Sequence, residues 1–489
     1  MTSHATLYED IARRIEAMID AGTLRPGDRI PSVRRLHKQW GVSVSTVLEA
    51  YRVLEDRGRV EARPQSGHYV RAHARCAEPR PGTTSTKPCR VDVSSLGFKV
   101  ASKADEPGVL SLGAALPDAS FLPTSALARI MADVARRDPA NHTQAHPLGI
   151  PRLRRVLAGR MVDTGCALGP EDLVITNGAQ EALYLALRAV TEPGDVVAVE
   201  SPTYFGTLQT LEALGLKAVE VRASPQEGID LAHLAQCIER CRVRAVVVVP
   251  SFSNPLGACM PDASRRELAA LAARYDVPVI EDDVFADLFF DGARPKAVKA
   301  YDETGLVLYL SSVSKTLSPG LRVGWIAPGR FHARVAELKL VTSFTSATVA
   351  QLTVADYLSS GGADRHLRRL RRSCRDNVER MRVAVEQHFP VGTRVGRPRG
   401  GLFLWVQMPE QVDSVHLFER ACERGISVAP GVMFSPSGGY RSCVRLNCGV
   451  PWNDDVEAAL KALGALACES PSAAERPVPP SSSPVSSLG

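Results

Sequence analysis

Residues 311–324 contain a single lysine, Lys315, in a setting that could hold a reactive carbonyl compound together with an anion. The segment follows an apolar run that predicts a strand, and Arg322 lies seven residues after the lysine. A solvated surface lysine usually lies on a charged helix face, whereas these flanks are serine, glycine and apolar residues. An amine can bind an aldehyde covalently, while nearby hydroxyls and a guanidinium can hold a phosphate. The spacing therefore favours a binding or catalytic role for Lys315.

Other candidate groups also come directly after predicted strands. Gly178 joins a strand to a helix, where glycine permits close backbone approach and the helix N-terminus favours an anion. Glu281, Asp282 and Asp283 end a strongly apolar strand, where a carboxylate is costly unless a cation is its partner. Tyr204 ends another strand, although an aromatic residue in such a place more often belongs to the core. With Lys315, these residues predict a site assembled at the ends of several strands.

The lysine segment resembles the Schiff-base motif of fold-type I aminotransferases, and the other loops resemble that family's cofactor loops in the same order. The resemblance spans about residues 109–468. It implies pyridoxal phosphate as cofactor, with Lys315 as the catalytic residue that carries it covalently. It also implies that Asp282 contacts the ring nitrogen, Asn254 the ring hydroxyl and Tyr204 the ring face. The phosphate contacts that it implies are Gly178, Ala179, Gln180, Ser312 and Arg322.

Residues 441–448 resemble the small-lobe strand whose arginine holds the substrate carboxylate in the same family. A planar guanidinium suits a carboxylate because it can donate two parallel hydrogen bonds. Arg445 precedes Leu-Asn as in the family, so we prefer it to Arg441 for this role.

Two positions depart from the pattern of active aminotransferases. A tyrosine commonly follows the ring-nitrogen aspartate by two or three residues, and here those positions are Val284 and Phe285. The turn at residues 142–149 has Gln144 where a tyrosine usually reaches the partner subunit's phosphate. Both departures are compatible with cofactor binding and argue against efficient transamination.

The first 70 residues predict three helices followed by a two-stranded wing. The predicted elements are a helix from Leu7 to Gly22, a second from Ser32 to Trp40, a third from Ser43 or Ser45 to about Asp56, and strands at residues 60–63 and 68–70. In this order of elements the third helix can enter a major groove of DNA. The structural alternative is a small interaction module of unrelated function.

Residues 24–36, 41–55 and 66–70 resemble the GntR family of winged-helix regulators. Guanidinium and hydroxyl groups at helix N-termini suit phosphates and base edges. The predicted DNA contacts are Arg34, Arg35, Ser43, Ser45, Thr46, Arg63 and Gly67. Family members often carry arginine where this chain has Val44 and a polar or basic residue at Leu48, so we expect a changed or weaker base readout.

Apolar runs alternate with amphipathic helices through residues 109–468, which predicts an α/β fold with a mostly parallel sheet and a small C-terminal α+β lobe. The runs that predict strands are residues 172–176, 196–200, 218–222, 245–250, 277–281, 307–310 and 323–327, with 402–406 and 443–446 in the final lobe. We divide the chain into a DNA-binding domain (1–72), an extended linker (73–108) that packs in part on the large domain, the cofactor-binding domain (109–468) and a disordered tail (469–489).

Composition agrees with this division. The net charge of the chain is +6, and residues 1–75 hold 13 lysine and arginine residues against 9 acidic ones, which favours a polyanionic partner for that segment. The eleven cysteines show no paired CxxC spacing, so we expect no metal site. No secretory signal or long apolar run is present, and we expect the chain to remain in the cytoplasm without membrane contact.

The fusion of these two resemblances is similar to the MocR subfamily of GntR-type regulators. That resemblance implies a homodimer that binds promoter DNA and senses an amino compound, or pyridoxal phosphate itself, through the cofactor-binding domain. Two alternatives stay open: a working aminotransferase with an appended DNA-binding domain, and a cofactor-free scaffold in which Lys315 is idle.

Overall fold

The computed structural model describes residues 7–63, 66–71, 76–82, 84–85, 87–104, 106–143 and 145–469. Gln144 and almost all of the predicted C-terminal tail lie outside these ranges. In the part of the chain that is described, no helix combines the length and apolarity needed to cross a membrane.

The helices are given first, in chain order. They are α1 (Leu7–Asp20), α2 (Val33–Trp40), α3 (Val44–Asp56), α4 (Ser94–Ala104), α5 (Thr124–Arg137), α6 (Pro151–Met161), α7 (Ala179–Val190), α8 (Phe205–Ala213), α9 (Leu231–Cys241), α10 (Asp262–Tyr275), α11 (His332–Thr342), α12 (Thr348–Leu358), α13 (Gly362–His388), α14 (Ser414–Cys422) and α15 (Asp454–Cys468).

The strands follow the same numbering. They are β1 (Val60–Arg63), β2 (Gly67–Val70), β3 (Cys89–Arg90), β4 (Leu110–Ser111), β5 (Val174–Thr176), β6 (Val196–Ser201), β7 (Lys217–Ser224), β8 (Gly228–Ile229), β9 (Val243–Val248), β10 (Val279–Asp282), β11 (Val307–Ser312), β12 (Gly324–Ala327), β13 (Arg394–Val395), β14 (Phe403–Gln407), β15 (Ile426–Ser427), β16 (Ala429–Pro430) and β17 (Cys443–Asn447).

The N-terminal domain is formed by α1 to α3 and the antiparallel hairpin of β1 and β2. Its own core contains Ile11, Ile15, Leu36, Val47, Leu54 and Val60. The α2 helix begins after Ser32, whose side chain accepts a hydrogen bond from the backbone N–H of Arg35, and it ends at Gly41 in the left-handed conformation. The Tyr51 hydroxyl donates to the carbonyl of Pro31, which ties α3 to the start of α2. The predicted order of three helices and a wing is confirmed.

A mixed, mostly parallel sheet forms the centre of the large lobe. Its strand order is β3-β7-β6-β9-β10-β11-β12-β5, with β8 paired to β7. The strands from β7 to β11 are parallel in that order, whereas β12 is antiparallel to both neighbours. Successive residues of β6 are buried in different clusters, since Val197 and Val199 pack on one face of the sheet and Ala198 on the other. The predicted α/β fold, with helices on both faces, is confirmed.

The small lobe begins along α13 and contains an antiparallel sheet of order β13-β14-β17-β16. The helices α14 and α15 cover this sheet, and Trp405, Phe418 and Leu460 lie in the shared core. A short parallel pair, β15 with β4, connects the start of the large domain to the small lobe.

The segment that we expected to be an extended linker has regular structure in part. Cys89 and Arg90 form β3 on the edge of β7, and residues 94–104 form α4. The helix α4 buries only Gly97 and Val100, and two buried positions, one of them glycine, leave little apolar periodicity in the sequence. Glu212 on α8 accepts hydrogen bonds from the backbone N–H groups of Val93 and Ser94, so packing against the large lobe stabilises the beginning of this helix.

Candidate functional site

A cavity of about 480 Å³ lies at the carboxyl ends of the parallel strands, where ligands bind in open α/β sheets. Loops after β6, β9, β10 and β11 meet there with the start of α7. The lining residues include eight that the sequence analysis assigned to the cofactor, namely Ala179, Gln180, Tyr204, Asn254, Asp282, Ser312, Lys315 and Arg322.

Lys315 lies in this cavity with its amine held by one hydrogen bond. The Nζ atom donates to the carbonyl of Ala115 over 2.9 Å, and it lies 5.6 Å from the centroid of the Phe285 ring. Burial lowers the pKa of Lys315 to about 8, and the positive charge of Arg445 acts in the same direction. A lysine with this pKa has a substantial unprotonated fraction near neutral pH, as a nucleophilic amine requires.

The two aspartates at the end of β10 face different surroundings. Asp282 lines the cavity and accepts one hydrogen bond, from the backbone N–H of Val284, while burial raises the pKa of its carboxyl to about 7. Asp283 instead forms an ion pair of 2.7 Å with Arg294 on the other side of the strand. Among the described residues, Asp282 forms no ion pair of this kind, so a protonated ring nitrogen beside it would restore the charged form of the carboxylate.

Arg445 on β17 is almost completely buried, with 1% of its surface exposed. It donates to Asn254 Oδ1 over 2.9 Å and to the carbonyl of Gly113. Its Nε atom is buried and has no hydrogen-bond partner among the described residues. Burial lowers the pKa of Arg445 to about 10, so an anion next to the guanidinium would be stabilising.

Arg322 lines the end of the cavity that suits an anion, and Gly178 lies against its guanidinium. Gly178 has φ +83°, and a Cβ at this position would lie 2.8 Å from Cζ of Arg322, so any other residue would strain the backbone and displace the guanidinium. Arg322 donates to the carbonyl of Asn177 over 2.9 Å, at the N-terminus of α7. The Gln180 amide is already engaged, because it donates to Thr210 Oγ1 and to the carbonyl of Gly206. The side chain of Gln180 therefore forms part of the cavity wall, and its amide is not available to donate to a ligand.

Ser314 is a lining residue that the sequence analysis did not assign. Its hydroxyl is buried and has no hydrogen-bond partner in the described ranges, while its backbone N–H donates to Ser312 Oγ over 3.4 Å. An unpaired buried hydroxyl is costly unless a ligand satisfies it. With the cradle at Gly178 and the carboxyl of Asp282, this hydroxyl fits a phosphate-bearing aromatic aldehyde.

The remaining walls of the cavity are apolar or aromatic. Val284 and Phe285 line the cavity at positions where active enzymes commonly have a tyrosine. Leu116, from the segment that precedes α5, also lines it. Burial raises the pKa of Tyr204, so its phenol stays neutral. The sequence analysis missed the segment around Leu116 and the two carbonyls of Gly113 and Ala115, since backbone oxygens carry no signal in residue type.

The candidate DNA contacts lie on the surface of the N-terminal domain. Arg34 and Arg35 are exposed on α2. Ser43 caps α3 by accepting from the backbone N–H of Thr46, and its Oγ also lies 2.8 Å from Ser45 Oγ. Ser43 therefore has a structural role that the sequence analysis did not assign to it.

The exposed face of α3 and the wing complete this surface. Val44 and Leu48 are 42% and 47% exposed, one helical turn apart, where a recognition helix would contact DNA. In the wing, the Arg63 guanidinium lies 4.4 Å from the Tyr69 ring centroid and pairs with Glu61, while Gly67 has φ +110°. The described ranges contain no group of three or more His, Cys, Asp or Glu side chains placed to hold a metal ion.

Comparison with known proteins gives the same two parts. The sequence matches the family of bacterial regulatory proteins, gntR family, over residues 7–70 and the family aminotransferase class I and II over residues 109–463. It is 35% identical to the uncharacterized HTH-type transcriptional regulator YjiR of Escherichia coli K12, and 37% identical to YdcR of the same strain. Each alignment covers 94% of this chain and 98% of the relative.

Solved structures similar to the large domain are aminotransferases. Kynurenine aminotransferase of Pyrococcus horikoshii, in complex with PMP, has a TM-score of 0.71 and 28% identity, over 78% of this chain and 95% of its own. LysN, the α-aminoadipate aminotransferase of Thermus thermophilus, complexed with N-(5′-phosphopyridoxyl)-L-leucine, has a TM-score of 0.69 and 29% identity, over 77% of this chain and 98% of its own.

These findings confirm the predicted combination of a GntR-type DNA-binding domain with a fold-type I aminotransferase-like domain, and they indicate pyridoxal phosphate as the cofactor. The relatives that match along the whole length are HTH-type transcriptional regulators, which supports the predicted class of function. The chain belongs to the aminotransferase class I and II family and, through its N-terminal gntR domain, to the transcription regulators of the MocR type.

Proposed function

We propose that this regulator binds promoter DNA as a homodimer in the cytoplasm and uses pyridoxal phosphate on Lys315 to sense an amino compound or the cofactor itself. The observation that carries the proposal is one cavity in which the Lys315 amine, the Asp282 carboxyl and the Tyr204 ring converge, in a chain that also has a DNA-binding domain. A DNA-binding domain alone would not account for the cofactor cavity, and a cofactor cavity alone would not account for the DNA-binding domain.

The proposed cofactor contacts follow from the chemistry of each side chain. When bound, pyridoxal phosphate supplies an aldehyde that reacts with amines and an electron-withdrawing ring. Lys315 provides the amine, Asp282 holds a proton on the ring nitrogen, and Tyr204 covers one face of the ring. Asn254 lies beside the ring hydroxyl. The proposed phosphate contacts are Gly178, Ala179 and Gln180 through their backbone N–H groups at the N-terminus of α7, and the side chains of Ser312 and Arg322, with Ser314 added from its unpaired hydroxyl.

The proposed effector is an amino compound with a carboxylate. Arg445 supplies a buried guanidinium whose Nε has no partner among the described residues. Leu116 and Val249 make the adjacent wall apolar, which favours an effector without additional charge in that direction. Binding can change DNA affinity only if the effector favours one arrangement of the protein over another.

DNA binding is assigned to the N-terminal domain, which we propose to comprise residues 1–72. The α3 helix enters the major groove through Ser45, Thr46 and its exposed face, while Arg34, Arg35 and Arg63 contact phosphates. Ser43 and Gly67 hold the helix and the wing in position.

A second candidate function is a working aminotransferase with an attached DNA-binding domain. Its support is the presence of Arg445 and a complete lysine segment beside Asp282. Phe285 counts against it, because a phenyl ring cannot donate a hydrogen bond to the ring oxygen of the cofactor.

The proposal is tested by comparing the wild-type protein with Lys315→Ala, and with Lys461→Ala as a control for an exposed lysine on α15. We expect wild type and Lys461→Ala to show the visible absorbance of lysine-bound pyridoxal phosphate, and Lys315→Ala to lack it. All three proteins should bind promoter DNA, since the DNA-binding domain has its own core.

Two outcomes would contradict the proposal. A colourless wild-type protein that does not take up added pyridoxal phosphate would favour the cofactor-free scaffold. Rapid amino-group transfer to 2-oxo acids, without affinity for DNA, would favour the enzyme.

A further inference from the structure

Glu220 on β7 has 1% of its surface exposed, and the groups that donate hydrogen bonds to it within the described ranges are all uncharged. The hydroxyls of Ser201, Ser435 and Ser437 donate to it over 2.7, 2.8 and 2.6 Å. The backbone N–H of Ser85 is a longer fourth donor, at 3.4 Å. A buried carboxyl group needs hydrogen-bond partners in place of water, so these partners are held tightly in relation to one another.

The donors come from three separate parts of the molecule. Ser201 ends β6 in the large lobe, three residues before Tyr204 of the cavity. Ser435 and Ser437 lie in the small lobe, on residues 431–440, which lead to the strand of Arg445. Ser85 belongs to the segment that connects the DNA-binding domain with the large domain. Glu220 therefore lies where both lobes and the linker meet.

The small-lobe segment 431–440 also contacts the candidate site directly. The Phe434 carbonyl accepts a hydrogen bond of 2.9 Å from the backbone N–H of Thr203. The Phe434 ring centroid lies 5.1 Å from the guanidinium carbon of Arg445. Movement of Arg445 relative to Tyr204 would therefore change the position of this segment relative to β6.

The linker residues that precede Ser85 are hydrogen-bonded to the small lobe. The Ala77 carbonyl accepts from the backbone N–H of Val395, and the Arg80 N–H donates to Gln407 Oε1 over 2.8 Å. The Gly82 backbone packs closely against the Tyr440 ring, since a Cβ at residue 82 would lie 2.6 Å from Cζ of Tyr440.

After Ser85 the linker is fastened to the large lobe instead. Cys89 and Arg90 pair with β7, and Glu212 on α8 accepts hydrogen bonds from Val93 and Ser94. The linker thus crosses from one lobe to the other at the place where Glu220 binds it.

We propose that Glu220 is a positioning residue that couples occupancy of the Arg445 site to the linker, and through the linker to the DNA-binding domain. The inference rests on the proposed function, because it requires a ligand that draws Arg445 and Tyr204 together. Such a ligand changes the angle between the lobes, and the bonds of Glu220 transmit that change to residues 76–90.

The test uses hydrogen exchange of the full-length protein loaded with pyridoxal phosphate alone or with N-(5′-phosphopyridoxyl)-L-leucine. This probe fills the cofactor and carboxylate positions together without reacting. In wild type we expect it to slow the exchange of amides in residues 76–90 by about fivefold or more, the lower end of allosteric coupling. In Glu220→Gln the probe should still bind and protect residues around Tyr204, while the response of the linker is lost. Glutamine keeps the size of the side chain, but its NH₂ group cannot accept a hydrogen bond from a serine.

Glu212→Gln is the matched control, because Glu212 also binds the linker through a carboxylate but joins it only to the large lobe. It should keep the wild-type response. If Glu220→Gln does not fold, Ser437→Ala removes one donor from the cluster and should reduce the response at least about twofold.

A wild-type linker that does not respond to the bound probe, or an equal response in Glu220→Gln, would overturn the inference and leave the proposed function standing. A protein that takes up neither pyridoxal phosphate nor the probe would overturn the proposed function itself.

Discussion

The DNA-binding surface and the cofactor cavity are built in opposite ways. The first comes from one continuous stretch, α2 to β2, whose candidate contacts are mostly exposed and whose core is local. The second comes from loops far apart in the sequence. Asp282, which lines it, is buried, and so is Arg445, which is hydrogen-bonded to the lining residue Asn254. The contacts of the DNA-binding surface are positioned by a few helix caps, whereas the groups of the cofactor cavity are positioned by the whole sheet.

This difference predicts two kinds of response to mutation. Exposed charges interact with DNA phosphates through solvent and salt, so each contributes a moderate and screened amount. Buried groups act in a low-dielectric setting, where loss of one partner leaves another unsatisfied. The following predictions test this difference between exposed and buried groups, in order from the largest expected effect to the smallest.

The largest effect concerns the pH dependence of cofactor uptake by the apo protein. Burial lowers the pKa of Lys315 to about 8, and the neutral amine is the form that reacts with the aldehyde. The rate should therefore rise with pH, by about 50-fold between pH 6 and pH 8, and level off above that. Stopped-flow absorbance at a series of pH values measures the rate.

An exposed lysine provides the reference for that profile. The slow reaction of pyridoxal phosphate with surface lysines in Lys315→Ala should keep rising toward the ordinary lysine pKa. A wild-type rate that also climbs without levelling would show that Lys315 has the character of a surface amine.

Gly178→Ala should weaken the affinity for pyridoxal phosphate by about tenfold, the equivalent of about 1.5 kcal/mol for a weakened hydrogen bond between Arg322 and the phosphate. The residue has φ +83°, and the new Cβ would displace the Arg322 guanidinium. Gly194→Ala is the matched control, since Gly194 has φ +94° with no atom within 4 Å of its Cβ position. Spectroscopic titration of each variant measures the affinity. Gly194→Ala should keep the wild-type affinity, because backbone strain that is present with and without the cofactor does not change its binding. An equal loss in both variants would show that the close approach of residue 178 to Arg322 is not the cause.

Phe285→Tyr should increase amino-group transfer by about tenfold or more, because a hydrogen bond to a charged oxygen contributes about 1.5–3 kcal/mol. The phenyl ring lines the cavity beside Lys315, so the added hydroxyl would face the cofactor. Phe289→Tyr adds the same hydroxyl outside the lining residues and should change nothing. Turnover with an amino acid and a 2-oxo acid is the measurement. No increase would show that Phe285 is not what separates this chain from active enzymes.

Sequence reasoning found elements whose signal is local. The strand predicted at residues 196–200 is β6, Val196–Ser201, because a buried parallel strand is a continuous apolar run. Ser32 was expected to begin α2 and does so, since a cap acts on backbone groups only three residues away. Lys315 and Asp282 were assigned to one site because their segments, each at or shortly after the end of a strand, resemble two loops of one family, and both residues line the same cavity.

What the sequence could not give depends on partners distant in the chain. The Lys315 amine binds a carbonyl of residue 115, and any residue type supplies a carbonyl. The strand β3 exists only because it pairs with the edge of β7, and two residues show no alternation. The Gln180 amide is taken by Thr210, on the next helix, which the spacing of residues in one loop does not show.

The smallest effect is expected for Arg34→Ala, on the exposed side of the comparison. Arg34 lies on the surface of α2 next to Arg35, and its loss should weaken binding to operator and unrelated duplexes by a similar factor, about 2- to 10-fold. The slope of log affinity against log salt should fall by about 0.9, because one fewer phosphate is neutralised. Fluorescence anisotropy at several salt concentrations measures both quantities. Arg129→Ala, an exposed arginine on α5 of the large domain, is the control and should leave the slope unchanged. A loss of affinity confined to one DNA sequence would mean that Arg34 contacts bases and not only phosphates. Specific recognition would then not be limited to the buried cavity, and the contrast between the two regions would be wrong for Arg34.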